Sequence, residues 1–288
     1  MSSELSESTP MVSAPDDSRP SWLESPWAPL LTHISVAVMT VAMFLLLLYL
    51  PFWFVFIPCA LLHHRVGILV HEYIHGIPFQ KYRHNHWAVT FFDGLLLAFG
   101  FLELFRSTHL LHHKWLNSAK DPAFQSAHAQ GPKNPFLNAI YATETCQHLL
   151  YLIAAVRGEN PIIKVRHFIY GVVLSSVHTA AWVIAGRPEM ALYLIVLSLF
   201  TTLVSSSLRG AIEHHSVSGD LHSTNEYRSF LPIFNMNRHV HHHDDPTVPW
   251  YRLKYLTDRV LPARTFITHW FHVYIRKDFV MMAPHRQK

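Results

Sequence analysis

The sequence predicts an all-α, polytopic membrane fold: four transmembrane helices in two hairpins, with a helical cap on the cytoplasmic side. Three observations predict it. Uncharged apolar runs extend from Leu30 to Ala60, from Phe168 to Ala185 and from Met190 to Leu208, near or beyond the roughly 20 residues that cross a bilayer. Pro51 and Gly186-Arg187-Pro188 supply hinges, so the first run folds into one hairpin and the other two form the second. Of 23 Lys and Arg residues, ten lie between Arg65 and Arg166 and eleven from Arg209 onward, against one at the second hinge and none at the first. By the positive-inside rule the termini and the long central segment are cytoplasmic.

Residues 1–27 are rich in Ser, Pro and acidic groups and are expected to form a mobile segment, because they bury too little apolar surface to offset ordering entropy. Trp22 and Trp27 mark an interface. Residues 28–270 form the membrane domain and 271–288 a basic tail. Between Phe91 and Phe105 an apolar stretch interrupted by Asp93, Gly94, Gly100 and Glu103 is too short and too charged to span, and is read as interfacial or re-entrant. Asn117 to Pro135 reads as loop. Phe136 to Val156 reads as an amphipathic surface helix, with Glu144 and His148 one turn apart as a solvated pair. His128, His167 and His178 are read as structural, and His64 as an interfacial polar residue. The tail from Trp250 to Lys288 is basic and aromatic, an amphipathic interfacial helix. The run near residue 28 lacks the flanks of a cleaved signal peptide and is read as a retained anchor. Two cysteines, Cys59 and Cys146, exclude a four-cysteine iron–sulfur or rubredoxin-like site. Basic residues spread through a membrane chain without a binding motif exclude nucleic acid. They suit anionic headgroups of membrane lipid or an acidic protein partner.

The chemistry lies in the histidines. His71-Glu72-Tyr73-Ile74-His75 places two imidazoles on one helical face. His109, His112 and His113, and again His239, His242 and His243, repeat a spacing of three and four. In each triplet the last two rings point about 100° apart, so one metal would struggle to use all three. With 24 histidines in 288 positions, chance gives about two H-x-x-x-H pairs but only about 0.16 H-x-x-H-H triplets. The pair is weak evidence and the two triplets are strong. All fall on the predicted cytoplasmic ends of apolar segments. With one of His214 or His215 they make nine, too many for a tetrahedral zinc site and suited to two metals with open positions. Imidazole accepts iron, copper, zinc and nickel alike.

These boxes resemble the membrane fatty acid desaturase and hydroxylase superfamily. His71-Glu-Tyr-Ile-His75-Gly76 looks like its first box. Arg106-Ser-Thr-His109-Leu-Leu-His112-His113, followed by Asn117 and Asp121-Pro122, looks like its second. Asn237-x-His239-x-x-His242-His243-x-x-Pro246, running into Pro249-Trp250-Tyr251, looks like the third box of bacterial members. Arg209-x-x-x-Glu213-His214 is similar to the segment that adds a ligand after the fourth span, which favours His214. The resemblance covers about residues 30 to 260. It implies two non-haem iron ions held by His71, His75, His109, His112, His113, His214, His239, His242 and His243, with O2 as co-substrate. It also implies a lipid-like or small amphiphilic substrate and an inner-membrane location with a cytoplasmic site. Glu72, Glu213, Asp121, Asp244 and Asp245 are expected to accept the outer N–H of ligating rings, with Asn237 beside them. At Gly210 some animal desaturases carry a water-holding asparagine. With no fused electron carrier in the sequence, a separate donor of the ferredoxin or cytochrome b5 type is expected.

Desaturation leads, and hydroxylation or ketolation by the same apparatus is the alternative, since small differences in substrate placement decide the outcome. An intramembrane zinc peptidase would use His71, His75 and Glu72 and leave both triplets without a role. A histidine-rich transporter would place its ligands near the bilayer midplane, whereas these lie at the ends of the spans.

Overall fold

The structure is a computed structural model and describes residues 21–79, 81–118, 120–122, 137, 144–158, 164–214, 227–228, 234–256 and 266–276. It is helical, with no β-strand among those residues. Four helices are long and apolar enough to cross a membrane. The first hairpin is α1 (Leu30–Tyr49) and α2 (Phe52–Ile74), joined through extended Leu50 and Pro51. Proline fixes its own φ and disfavours helix in the residue before it, which is why the chain turns there. The second hairpin begins with α6 (Val165–Ile184), turns at Gly186 (φ +72°) and restarts with Pro188 in the first turn of α7 (Pro188–Phe200). Helix α7 continues through a π-helical stretch, Thr201–Ser205, into α8 (Ser206–His214).

The apolar stretch from Phe91 to Phe105 is two helices rather than one segment. Helix α3 (Tyr82–Leu95) runs alongside α6, its Trp87 ring stacked on Tyr170 and its Gly94 against Leu174. The His178 ring then lies 3.1 Å from the Gly94 carbonyl. There the chain reverses through Leu97 (φ +52°), Phe99 (φ +49°) and Gly100 (φ +88°) and rises as α4 (Phe101–Trp115). The buried carboxylate of Asp93 accepts from the N–H groups of Gly100 (2.6 Å), Leu102 (2.8 Å) and Glu103 (3.3 Å). It thereby satisfies donors that the first turn of α4 would leave open. Gly171 lets α6 approach this turn, since a Cβ there would stand 2.8 Å from both Asp93 Oδ1 and the Gly100 Cα.

Helix α5 (Glu144–Val156) lies against α4 and α8. The third histidine box forms α9 (His239–Asp244), followed by the single turn α10 (Trp250–Leu253). Helix α11 (Phe266–Trp270) continues as a π-helical turn to Arg276 and buries Val273 against Ala211 of α8. The boundary expected after residue 270 therefore falls inside a packed helical segment. His128 and His215, and most of the segment from Asn117 to Pro135 that the sequence reads as loop, lie outside the described residues.

Candidate metal centre

The C-terminal ends of α2, α4 and α8 meet α9, and every histidine expected as a ligand lies at that junction. Ring nitrogens of His71, His75, His109, His113 and His242 all fall within 4.8 Å of one another. His112, His214 and His243 form a second group on the same criterion, with His214, His239 and Glu213 overlapping it. The second box is thus divided: His109 and His113, one turn apart, face the first group, and His112 faces the second. The third box divides in the same way, with His242 on one side and His239 and His243 on the other. The groups adjoin, the His113 and His243 rings stacking at 4.1 Å.

Four Nε2 atoms converge in the first group. His109 Nε2 lies 2.6 Å from His71, 3.1 Å from His75 and 3.0 Å from His113, and His75 Nε2 lies 3.2 Å from His71. In the second group His239 Nε2 lies 3.1 Å from His214 and 3.0 Å from His243. Rings aimed at one another over these distances cannot all be satisfied by sharing protons. A cation between them resolves the conflict. Two nitrogens each about 2.1 Å from an ion stand about 3.0 Å apart at right angles and about 3.4 Å apart at the tetrahedral angle. Five of the six spacings, at 3.0–3.2 Å, lie nearer the first case, which leaves room for more than four ligands, and the 2.6 Å between His71 and His109 is shorter than either. Burial, followed by the influence of neighbouring rings, holds His109, His113, His239, His242 and His243 well below the ordinary histidine range, and burial brings His75 down to about 3. The rings are therefore neutral at neutral pH, with lone pairs available to a metal.

The carboxylates are arranged less uniformly than the sequence suggests. Asp121 Oδ1 lies 2.8 Å from His112 Nδ1 and its Oδ2 accepts the Asn117 N–H at 2.8 Å. A His112 Nδ1–H donated to this carboxylate leaves Nε2 to face the second group. Asp121→Ala is expected to lower metal affinity or turnover by about 10- to 100-fold, read from iron content and rate together.

Glu213 is not behind a ring. It pairs with Arg209 (2.8 and 3.0 Å), accepts the Tyr227 hydroxyl (2.8 Å) and stands 3.7 Å from His239 Nε2, among the donors. Glu72 touches no ligating ring either: it accepts the Thr32 hydroxyl at 2.8 Å and the Trp250 backbone N–H. One residue's step of about 100° along the helix turns its side chain away from the face that carries His71 and His75. Glu72→Gln keeps the shape, and its amide can bond Thr32, whose hydroxyl also accepts. Activity within about tenfold of the native rate is expected, and an assay of that variant separates this arrangement from a peptidase, in which the carboxylate is indispensable. Asn237 Nδ2 donates to the Tyr227 carbonyl and its own carbonyl accepts the Tyr227 N–H, so it pins a backbone segment. Asp245 is exposed and caps Thr247, and Asp244 is exposed.

His148 was expected to be solvated, yet it is buried between Phe101 and Phe105 and lines the cavity beside His109 and His112. Apolar neighbours from α4, distant in sequence, override the local charge pattern. Phe105 also stacks on His109, 4.9 Å between centroids. His167 is not isolated: with His86 and Glu103 it forms a further cluster. There the Arg106 guanidinium lies 2.9 Å from His167 and 3.0 Å from Glu103, so a fixed cation already balances the carboxylate.

Among known proteins, the model of a family described as fatty acid desaturase matches residues 47–274. No curated protein and no solved structure matches.

Proposed function

Because the chain belongs to the fatty acid desaturase family, a family of membrane oxidoreductases, we propose that it is an O2-dependent di-iron enzyme that introduces a double bond into an aliphatic chain. The observation that supports this reading best is the pair of adjoining imidazole groups, five rings in one and His112, His214, His239 and His243 in the other. Iron bound there supplies an oxidant strong enough to remove hydrogen from an unactivated C–H bond, which acid–base side chains cannot do. The balance is one CH2–CH2 unit, one O2, two electrons and two protons going to one CH=CH unit and two waters. In this reading the two electrons come from a separate donor of the ferredoxin or cytochrome b5 type; two cysteines, Cys59 and Cys146, are too few to hold a four-cysteine iron–sulfur cluster.

The chain's own residues hold and shape. Asp121 fixes His112 in one tautomer. Arg209 balances Glu213 beside His239, and the Tyr227 hydroxyl donates to the same Oε1 that Arg209 Nε meets. Phe105 and His148 wall the cavity next to the rings, keeping water from the reacting carbon. The distribution of basic residues supports a site on the cytoplasmic side of the membrane.

The test is iron quantification on the purified protein, joined to mass spectrometry of lipid extracts from expressing cells grown with and without oxygen. The expected result is about two iron ions per chain and products about 2 Da lighter than their precursors, formed only with O2. A gain of about 16 Da would instead assign hydroxylation. A single zinc per chain, or products that form without oxygen, would overturn the reading.

A further inference from the structure

Three cavities follow one another from the ring cluster into the membrane-spanning part. The cavity beside His109 shares His71, Phe105 and Arg209 with a second of about 130 Å³. The second shares Ala98, Phe101, Ser198 and Thr202 with a third of about 330 Å³. The walls change along this path. The third cavity is lined almost wholly by apolar groups, and three of them, Leu149, Leu199 and Leu203, are also 46%, 57% and 38% exposed on the outer surface. Leu199 and Leu203 lie on a helix apolar enough to span, so that surface faces acyl chains.

The middle cavity is different. His63, His64, Ser198, Thr201 and Thr202 all line it. His63 is 6% exposed; its Nδ1 lies 2.8 Å from Thr201 Oγ1, the Leu96 backbone also reaches the ring, and its Nε2 has no well-formed hydrogen bond among the described residues. The neighbouring His64 ring makes no hydrogen bond among the described residues. Buried polar nitrogens are rarely left unmet, and here two imidazoles border one space. Gly67 stands between them and His71 on the same helical stripe, and a Cβ built there meets nothing within 4 Å. Glycine weakens a helix interior, so local stability favours a larger residue at this position. What glycine preserves is clearance.

Resting on the proposed oxidation at the histidine centre, we propose that the three cavities form one substrate tunnel, entered sideways from the bilayer beside Leu149 and Leu199. The substrate is a long-chain lipid bearing a hydroxyl group that His63 and His64 hold. A hydroxyl serves either histidine tautomer, because it donates to a lone pair and accepts from an N–H. The eight residues from His63 to His71 put that group about 12 Å along α2 from the centre. An acyl chain delivered on a soluble carrier would present only methylenes to this polar collar.

The test uses membranes containing the iron-loaded protein and octadecan-1-ol carrying a mid-chain diazirine, photolysed and mapped by peptide mass spectrometry. Cross-links are expected on the segments 63–71, 96–105 and 195–203. Unlabelled octadecan-1-ol should suppress them at a concentration at least about fivefold lower than n-octadecane does. Gly67→Leu, with iron content unchanged, should remove the cross-links by filling the bore. The double variant His63→Phe, His64→Leu should keep them and lose the preference for the alcohol. Equal competition by alkane and alcohol in the native protein would overturn the hydroxyl subsite, and labelling indifferent to Gly67→Leu would overturn the tunnel. Both readouts stand without the double variant. Absence of iron or of O2-dependent product from the native membranes would count against the oxidation itself, separately from the labelling pattern.

Discussion

His109→Ala is expected to lower turnover by at least about 10³-fold, since a bound metal contributes several kcal/mol to the step it assists. His109 is chosen because it is the hub: its Nε2 lies within 3.1 Å of three other ring nitrogens, contributed by α2 and by its own helix. Its ring also forms the wall that Phe105 covers. Removing it opens the first group on the side facing the cavity. Iron per chain and product formed should fall together, while the helical content of the protein in detergent stays as it was. Full activity with a normal iron content would show that the five-ring group is not the centre.

The largest effect on stability is expected at Asp93. Its carboxylate receives three backbone N–H groups at the start of α4. The Asp93 carbonyl also accepts the Ser175 hydroxyl of α6. Asp93→Ala leaves those donors without partners in a buried turn, at a cost of about 3 kcal/mol. The turn cannot relax readily, because Leu97 and Phe99 already sit at positive φ and a Cβ at Gly100 would meet Phe168 at 2.4 Å. A lower thermal midpoint in detergent is expected, with the loss of structure beginning in α3 and α4. Asp93→Asn, which keeps one acceptor oxygen, should recover part of it. An unchanged midpoint for the alanine variant would show that water or other groups satisfy the turn.

The four spans and both hinges were legible because uncharged runs and prolines act locally. The three boxes were legible because helical spacing is fixed, and the same geometry showed that one metal would struggle to use all three rings of a triplet. Which ring of the third box joins which group was not: it depends on how α9 meets α2 and α4, which no local pattern encodes. Glu72 escaped for the same reason, its partners Thr32 and Trp250 lying 40 and 178 residues away. His148 was misread from its neighbour Glu144, whereas Phe101 and Phe105 decide its surroundings. The reversal at Leu97 and Phe99 carried no signal, since nothing marks those residues for the left-handed region.

The clasp at Glu72 has a consequence for biogenesis. Thr32 lies in the first span, Glu72 at the end of the second, and Trp250 just beyond the third box. Trp250 also bonds Thr32 directly through its indole N–H at 3.1 Å. A segment translated late therefore docks onto two translated much earlier. Until residues near 250 have left the ribosome, His239, His242 and His243 cannot be held against α2 and α4. The hairpins can insert and pair earlier, but both ring groups are complete only once the third box has emerged.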